Sequence, residues 1–356
     1  MEQSNILQKV NDRNIGLDIL KIISMCLITF RHYIGYLDLT NAIEFTSVNG
    51  ILVNTVSVFC SSAVNIFVII SGYFLVKSQF KVQKIIKLWA EVWFYSVLMF
   101  AIGAALGSYP ITASTLVFSF LPVSSRHYWF PVTYLIMYAF SPLLNKLLLN
   151  LTKKEYTTLV LLGAVVLSAW TTFFYFSDGA VTGGNTGLLW FIYLYLLGGY
   201  FKLFDIKLKK NYTALIILLI TVFLVAFKYF QMRIPFLQNF SFKTDDSIFE
   251  LILSVCLFIL FLDIRQPQKK GASKIIFALS KCSFGVYLIQ ESCMFREYLW
   301  KDLVGNYIYA DKWYLIFTML GVAFALFFAA WVISSVFCKL FGAILKILQK
   351  KHTAKQ

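Results

Sequence analysis

The sequence predicts an all-α, polytopic integral membrane protein with about ten transmembrane helices. Its 356 residues are 59% hydrophobic and only 14% charged, with a mean hydropathy of +0.74. A soluble domain averages about 45–50% apolar and about 25% charged residues. Apolar stretches near the length of ~20 residues that crosses a bilayer recur along the whole chain. A third observation, the alternation of lysine-rich and lysine-poor loops, indicates how these stretches are oriented.

Hydropathy along the chain defines the individual spans. They cover residues 15–37, 50–76, 84–107, 128–149, 156–177, 186–204, 211–230, 247–264, 280–300 and 313–338. No segment between them is long enough to bury a core of its own, so we predict a single domain over residues 1–356. The loop 108–127 is long for a connection and is expected to dip back or to cover the outer opening.

The loop charges predict the topology. The loops 38–49 and 178–185 contain no lysine or arginine, whereas the loops between spans two and three and between spans six and seven are lysine-rich. The positive-inside rule then places both termini in the cytoplasm, with an even number of spans. The net charge of +15 has the same explanation, so no nucleic-acid partner is predicted.

The first span is unusual because it carries four ionisable side chains, Asp18, Lys21, Arg31 and His32. A charge deep in hydrocarbon costs at least about 2.5–3.5 kcal/mol, so such groups usually face a protein interior or a wet cavity. Eleven positions separate Lys21 from His32, which places them within ~20° on one helix face and ~16 Å apart. Asp18 lies one turn before Lys21. The spacing predicts a polar stripe along this helix.

Five segments carry a resemblance to a known family. They are GLDILKIISMCLITFRHY, NIFVIISGYFL, KVQKIIKLWAEVWFYS, HYWFPVTYLIMYAFSPLLN and SKCSFGVYLIQ, in that order. In this order they resemble the motifs of the membrane acyltransferase-3 proteins, which O-acylate, usually O-acetylate, carbohydrates of the bacterial surface. The opening motif is a basic residue, ten intervening positions and a histidine, here Lys21 and His32. Lysine replaces the commoner arginine, and Gln290 stands where relatives often have a late histidine, with Glu291 beside it.

The resemblance implies acetyl-CoA as the acyl donor and no permanently bound cofactor. Lys84 and Lys87 match the inner basic motif and are predicted to bind the phosphates of CoA, with Ser71 and Tyr73 nearby. Scattered cysteines without a C-x-x-C pair predict no metal site.

The resemblance also assigns the catalytic side chains. His32 is predicted to act either as the general base that activates a hydroxyl or as a covalent acyl carrier, and the residues leave both roles open. Lys21 and Asp18 are expected to share the catalytic stripe, and Asp18 or Glu91 to hold buried basic groups.

The carbohydrate partner is expected at the outer mouth. Arg126 and His127 are predicted to bind it there, together with Glu91. The implied acceptor is a surface polysaccharide or its lipid-linked precursor, modified by a multi-pass protein of the bacterial plasma membrane. Which sugar and hydroxyl are used, and the oligomeric state, stay open.

Each assignment has an alternative. Lys21, Arg31 and His32 also fit side chains that extend to the membrane interfaces, and Lys84 and Lys87 fit ordinary positive-inside charge. The enzyme is the leading interpretation, and ten spans with buried charges also allow a transporter or flippase of a lipid-linked sugar. A polysaccharide polymerase fits less well, because the outer loops are short and poor in arginine. A transporter predicts flux without consumption of CoA.

Overall fold

A computed structural model describes residues 14–125, 127–174, 187–206, 208–264, 270–305 and 309–353. All regular secondary structure in these ranges is helical, which confirms the predicted all-α class. Eleven α-helices in these ranges have eight residues or more, and the first six are α1 (Ile15–Tyr36), α2 (Val48–Leu75), α3 (Val82–Ala105), α4 (Ala113–Phe120), α5 (Trp129–Asn150) and α6 (Lys153–Ala164). The last five are α7 (Leu188–Phe204), α8 (Lys210–Gln231), α9 (Ile248–Leu262), α10 (Lys270–Gln290) and α11 (Leu315–Thr353).

Side-chain caps explain where several helices begin. The side chain of Asn14 accepts a hydrogen bond from the backbone N–H of Leu17 at the start of α1. Ser47 caps α2 and Ser247 caps α9 in the same way, each accepting from the N–H three residues further on. These contacts satisfy first-turn N–H groups that have no partner inside the helix.

The helices have the length and surface of membrane spans. Among the described residues, seven helical segments are long and apolar enough to cross a bilayer, one of them being Lys153–Phe173, in which α6 continues through a π-helix. Of the other predicted spans, α7 and α9 are apolar but have only 17 and 15 residues, and α1 carries charges. Large apolar side chains such as Leu218 on α8 and Phe324 on α11 are exposed, as expected for a surface that faces lipid. The count of ten spans and the cytoplasmic termini stay predictions.

One predicted span is displaced. The span predicted at 280–300 is a helix that runs from Lys270 to Gln290, and the chain then turns and forms a π-helix over Tyr298–Leu303. Leu299 and Trp300 in this segment are buried inside the protein. Hydropathy cannot distinguish apolar side chains that pack under a loop from those that face lipid, so the boundary shifted by ten residues.

The long loop before α5 also has structure of its own. It contains α4, which packs against α3 where the Ser96 hydroxyl donates to the backbone carbonyl of Ser119 at 2.8 Å. Thr112 caps this helix.

Helix α2 is the centre of the fold and contacts α1, α7, α8 and α9. Its contact with α7 is backbone to backbone: a Cβ atom at Gly72 would overlap the carbonyl of Tyr195, and one at Gly198 would overlap the carbonyl of Ile69. On its other side α1 lies between α2 and α10. The polar stripe of α1 therefore faces other helices.

Candidate functional site

A cavity of about 550 Å³ opens beside α1 and is bordered by Lys21, Arg31 and His32 of its polar stripe. Helices α2, α3, α5 and α10 and the segment before α9 complete its wall. The lining residues are Lys21, Met25, Ile28, Arg31, His32, Val64, Phe67, Ser71, Leu88, Glu91, Trp129, Phe130, Tyr134, Asp245, Ser280, Lys281, Ser283, Phe284 and Tyr287. Lys21 and His32 thus border the same space.

At one end of the cavity, His32 forms a pair with a carboxylate. Its Nε2 lies 3.3 Å from Oε1 of Glu291, which directly follows the last residue of α10. The Tyr36 hydroxyl donates to the same oxygen at 3.2 Å, and the Trp300 ring lies edge-on with its centroid 6.2 Å from that of His32. The other ring nitrogen, Nδ1, is buried and has no hydrogen-bond partner among the described residues. A histidine held next to a carboxylate is a typical general base.

A second charged pair lies at the same end. Arg31 Nη1 is 2.7 Å from Oδ1 of Asp245, a residue of the segment before α9. Both side chains border the cavity. The charge of Arg31 therefore lies close to His32 but is partly balanced by a carboxylate.

The opposite end of the cavity is basic. Lys21 and Lys281 both line it, together with Ser71 and Glu91. Glu91 lies in the field of two ammonium groups, those of Lys87 and Lys281. Ammonium and hydroxyl groups of this kind can hold a phosphate-bearing ligand.

Asp18 does not border the cavity but supports a residue that does. Its Oδ1 accepts a hydrogen bond of 2.7 Å from the hydroxyl of Ser280, which lines the cavity. Asp18 is 5% exposed and packs where α1 meets α10. Its predicted role of holding a buried basic group in the catalytic stripe stays a prediction.

Apolar and aromatic side chains separate the two polar ends. They include Ile28 on α1, Phe67 on α2, Phe130 on α5 and Phe284 on α10. A ligand that fills this cavity needs a long, weakly polar middle and two polar ends.

Three residues predicted to bind the donor lie outside the cavity. Lys84 and Lys87 are exposed on α3, and the Lys84 ammonium lies 5.9 Å from the centroid of the Tyr138 ring. The Tyr73 ring lies under the Lys202 ammonium at 4.6 Å. Only Ser71 of that predicted set borders the cavity.

Of the residues predicted to bind the carbohydrate, Glu91 borders the cavity and His127 does not. His127 is buried, and its Nε2 accepts a hydrogen bond of 3.1 Å from the backbone N–H of Cys293. Burial lowers the pKa of His127 to about 4, so the ring is neutral near pH 7 and can accept that bond. His127 thereby fixes the segment that carries Glu291. Arg126 lies outside the described residues.

Three lining or pairing residues were not assigned from the sequence: Lys281, Glu291 and Asp245. Lys281 is the second residue of the span predicted at 280–300, and a lysine is common at the end of a membrane span. In α10 it lies mid-helix, and an intramembrane lysine signals function. The sequence did contain a signal for a site role of Glu291, because it follows the position where relatives often have a histidine. It contained no such signal for Asp245, which belongs to a loop.

Comparison with known proteins gives one family. The acyltransferase-3 family model, described as an acyltransferase domain, matches residues 14–339. No curated protein matches the chain, and no solved structure does. The matched range includes every residue that borders the cavity.

Proposed function

Because the chain belongs to the acyltransferase-3 family, we propose that it transfers an acyl group, most simply acetyl, from acyl-CoA to a carbohydrate hydroxyl. The carbohydrate is a cell-surface polysaccharide or its lipid-linked precursor, as the family resemblance implies. One observation carries the proposal: a single cavity has a lysine-lined end and a histidine–carboxylate end.

The lysine-lined end suits the donor. With both termini in the cytoplasm, as the loop charges predict, Lys21 and Lys281 line the cytoplasmic side. Their ammonium groups match the phosphates of CoA, and the apolar middle of the cavity matches the pantetheine arm. Lys84 and Lys87 then attract the donor at the surface and do not enclose it.

The His32 end suits the carbohydrate hydroxyl. His32 takes the hydroxyl proton as oxygen attacks the thioester carbon, and the negative charge of Glu291 stabilises the imidazolium that forms. The imidazolium then returns the proton to the departing CoA thiolate. Nε2 of His32 lies against Glu291, so Nδ1, which has no hydrogen-bond partner among the described residues, is the nitrogen left to take the proton. A covalent acyl-histidine would use the same nitrogen and stays the alternative.

The test uses purified protein in vesicles with radiolabelled acetyl-CoA on the lysine-rich side and polysaccharide on the other. We expect labelled polysaccharide and one free CoA for each acyl group transferred. Flux of a lipid-linked sugar without release of CoA would instead support the transporter alternative. Empty vesicles measure spontaneous thioester hydrolysis.

Replacing Lys281 with alanine tests the donor end. We expect the KM for acetyl-CoA to rise roughly five- to tenfold with kcat nearly unchanged, because a charge-assisted contact to phosphate is lost. Lys84→Ala is the matched control on the same predicted side of the membrane and is expected to change KM less than twofold. Equal effects at both positions would mean that only the general surface charge matters.

A further inference from the structure

Arg31 is a cationic side chain that the proposed reaction does not yet use. It directly precedes His32 on α1 and borders the same end of the cavity. Its Nη1 lies 2.7 Å from Oδ1 of Asp245, and the two side chains are 40% and 3% exposed. The carboxylate is thus enclosed by protein, while the guanidinium is open to a ligand.

Two helices hold the backbone of Asp245. The side-chain amide of Asn65 on α2 donates to the Asp245 carbonyl at 2.5 Å. The indole N–H of Trp190 on α7 donates to the amide oxygen of Asn65 at 3.0 Å. Asn65 and Trp190 are fully buried, so this arrangement is fixed by the core.

The residues after Asp245 are held by the end of α6. There the helix continues through a π-helix over Val165–Ala169, and the Ser168 hydroxyl donates to the Asp246 carbonyl at 2.8 Å. The Thr172 hydroxyl accepts from the backbone N–H of Ile248 at 2.9 Å. Residues of three helices therefore hold the backbone around Asp245, whose carboxylate pairs with Arg31, and π-helices occur often at functional sites.

The guanidinium of Arg31 has N–H donors left to bind a ligand. Among the residues that the structure describes, Asp245 is the one hydrogen-bond partner of Arg31. Arginine has five N–H donors in a planar fork, and one carboxylate oxygen uses one of them.

Among the described residues at the His32 end, Arg31 is the cationic side chain that borders the cavity, whereas Arg296, 6.0 Å from the centroid of the Tyr36 ring, does not border it. The Lys243 ammonium donates to the Ser57 hydroxyl at 2.5 Å. Glu250 is fully buried, and neither of its carboxylate oxygens has a hydrogen-bond partner in the described ranges. Neither Lys243 nor Glu250 borders the cavity.

We propose that Arg31, oriented by Asp245, binds a carboxylate or phosphate group of the carbohydrate, so that the substrates are anionic glycans. The inference rests on the proposed acyltransferase function and narrows its substrate class. Arginine binds both anions through two parallel hydrogen bonds. Because Arg31 and His32 are consecutive, the bound anion would lie close to the hydroxyl that His32 activates.

The experiment compares matched pairs of acceptors in the vesicle assay. Methyl glucuronoside and methyl glucoside differ by a carboxylate, and glycerol phosphate and glycerol differ by a phosphate. We expect kcat/KM to be at least about tenfold higher for the anionic member of one or both pairs. A preference within only one pair identifies which anion Arg31 binds.

Substitutions then assign the preference to Arg31. In Arg31→Gln we expect the anionic-to-neutral ratio to fall to about one, and in Arg31→Lys, which keeps the charge without the fork, to fall partway. Arg233→Gln is the matched control: Arg233 lies 3.6 Å over the Tyr229 ring, outside the cavity, and the ratio should persist. Melting temperatures identify variants that do not fold, and Arg31→Lys then carries the test.

The outcomes separate the two proposals. If both members of each pair are acylated equally well, or if Arg31→Gln keeps the preference, the anion-binding inference is wrong and the acyltransferase function stands. If the wild-type protein releases no CoA with any of the four acceptors or with polysaccharide, the function itself fails.

Discussion

Alanine in place of His32 is expected to lower the rate of acyl transfer by about 10³–10⁴-fold. Without the imidazole, the carbohydrate hydroxyl must lose its proton to water inside a narrow cavity, and general-base catalysis typically contributes 10²–10⁴-fold. The paired Glu291 cannot replace it, because an isolated carboxylate is a much weaker base than imidazole. The measurement is the initial rate of CoA release in vesicles.

The other two histidines provide controls for His32. His352 belongs to the C-terminal end of α11, and His352→Ala should leave the rate unchanged. His127→Gln should lower stability more than the rate, since His127 holds the Cys293 backbone and does not border the cavity. A His32→Ala protein that inserts and retains more than a tenth of the wild-type rate would contradict the mechanism.

Replacing Glu291 with glutamine is expected to lower kcat by about 10²–10³-fold while the KM for acetyl-CoA stays within twofold. Glutamine keeps an oxygen near His32 Nε2 but removes the negative charge that stabilises the imidazolium in the transition state. An interaction made mainly in the transition state affects kcat, whereas lost donor binding would raise KM. Steady-state kinetics at several acetyl-CoA concentrations distinguish these effects.

Two neighbours of Glu291 serve as matched controls. Glu297→Gln removes an exposed carboxylate on the same segment that pairs with Lys301 at 2.7 Å, and its kcat should not change. Tyr36→Phe removes the hydroxyl that donates to Glu291 at 3.2 Å, and a loss below tenfold is expected. Equal losses in Glu291→Gln and Glu297→Gln would indicate a general charge effect and exclude a specific role for Glu291.

The parts of the fold that sequence predicts are those with a strong local signal. The charged positions of α1 recur at helical spacing, and Lys21 and His32 do border one cavity. The boundaries of α1, α2, α3 and α5 were predicted to within two residues, because each apolar run ends at a polar turn.

What sequence missed depends on contacts between distant segments. The apolar run around Leu299 and Trp300 is indistinguishable from a membrane span until its burial is known. With the observed bounds of α10, Lys270–Gln290, Lys281 lies in the middle of the helix and Glu291 directly after its end. The pairing of Arg31 with Asp245 joins positions 214 apart in the chain, which no local pattern encodes.

The glycine contacts between α2 and α7 limit how the protein can admit its donor. Gly72 packs against the backbone of Tyr195, and Gly198 against the backbone of Ile69. Because any sliding or separation of α2 and α7 would lose this close main-chain packing, we expect the two helices to move as one rigid pair. Ser71 and Phe67, which line the cavity, belong to α2 of this helix pair. We therefore expect the entrance for CoA to widen by displacement of the facing helices α3 and α5. In that case Gly72 of the Ser-Gly-Tyr motif keeps α2 fixed to α7 while α3 and α5 move.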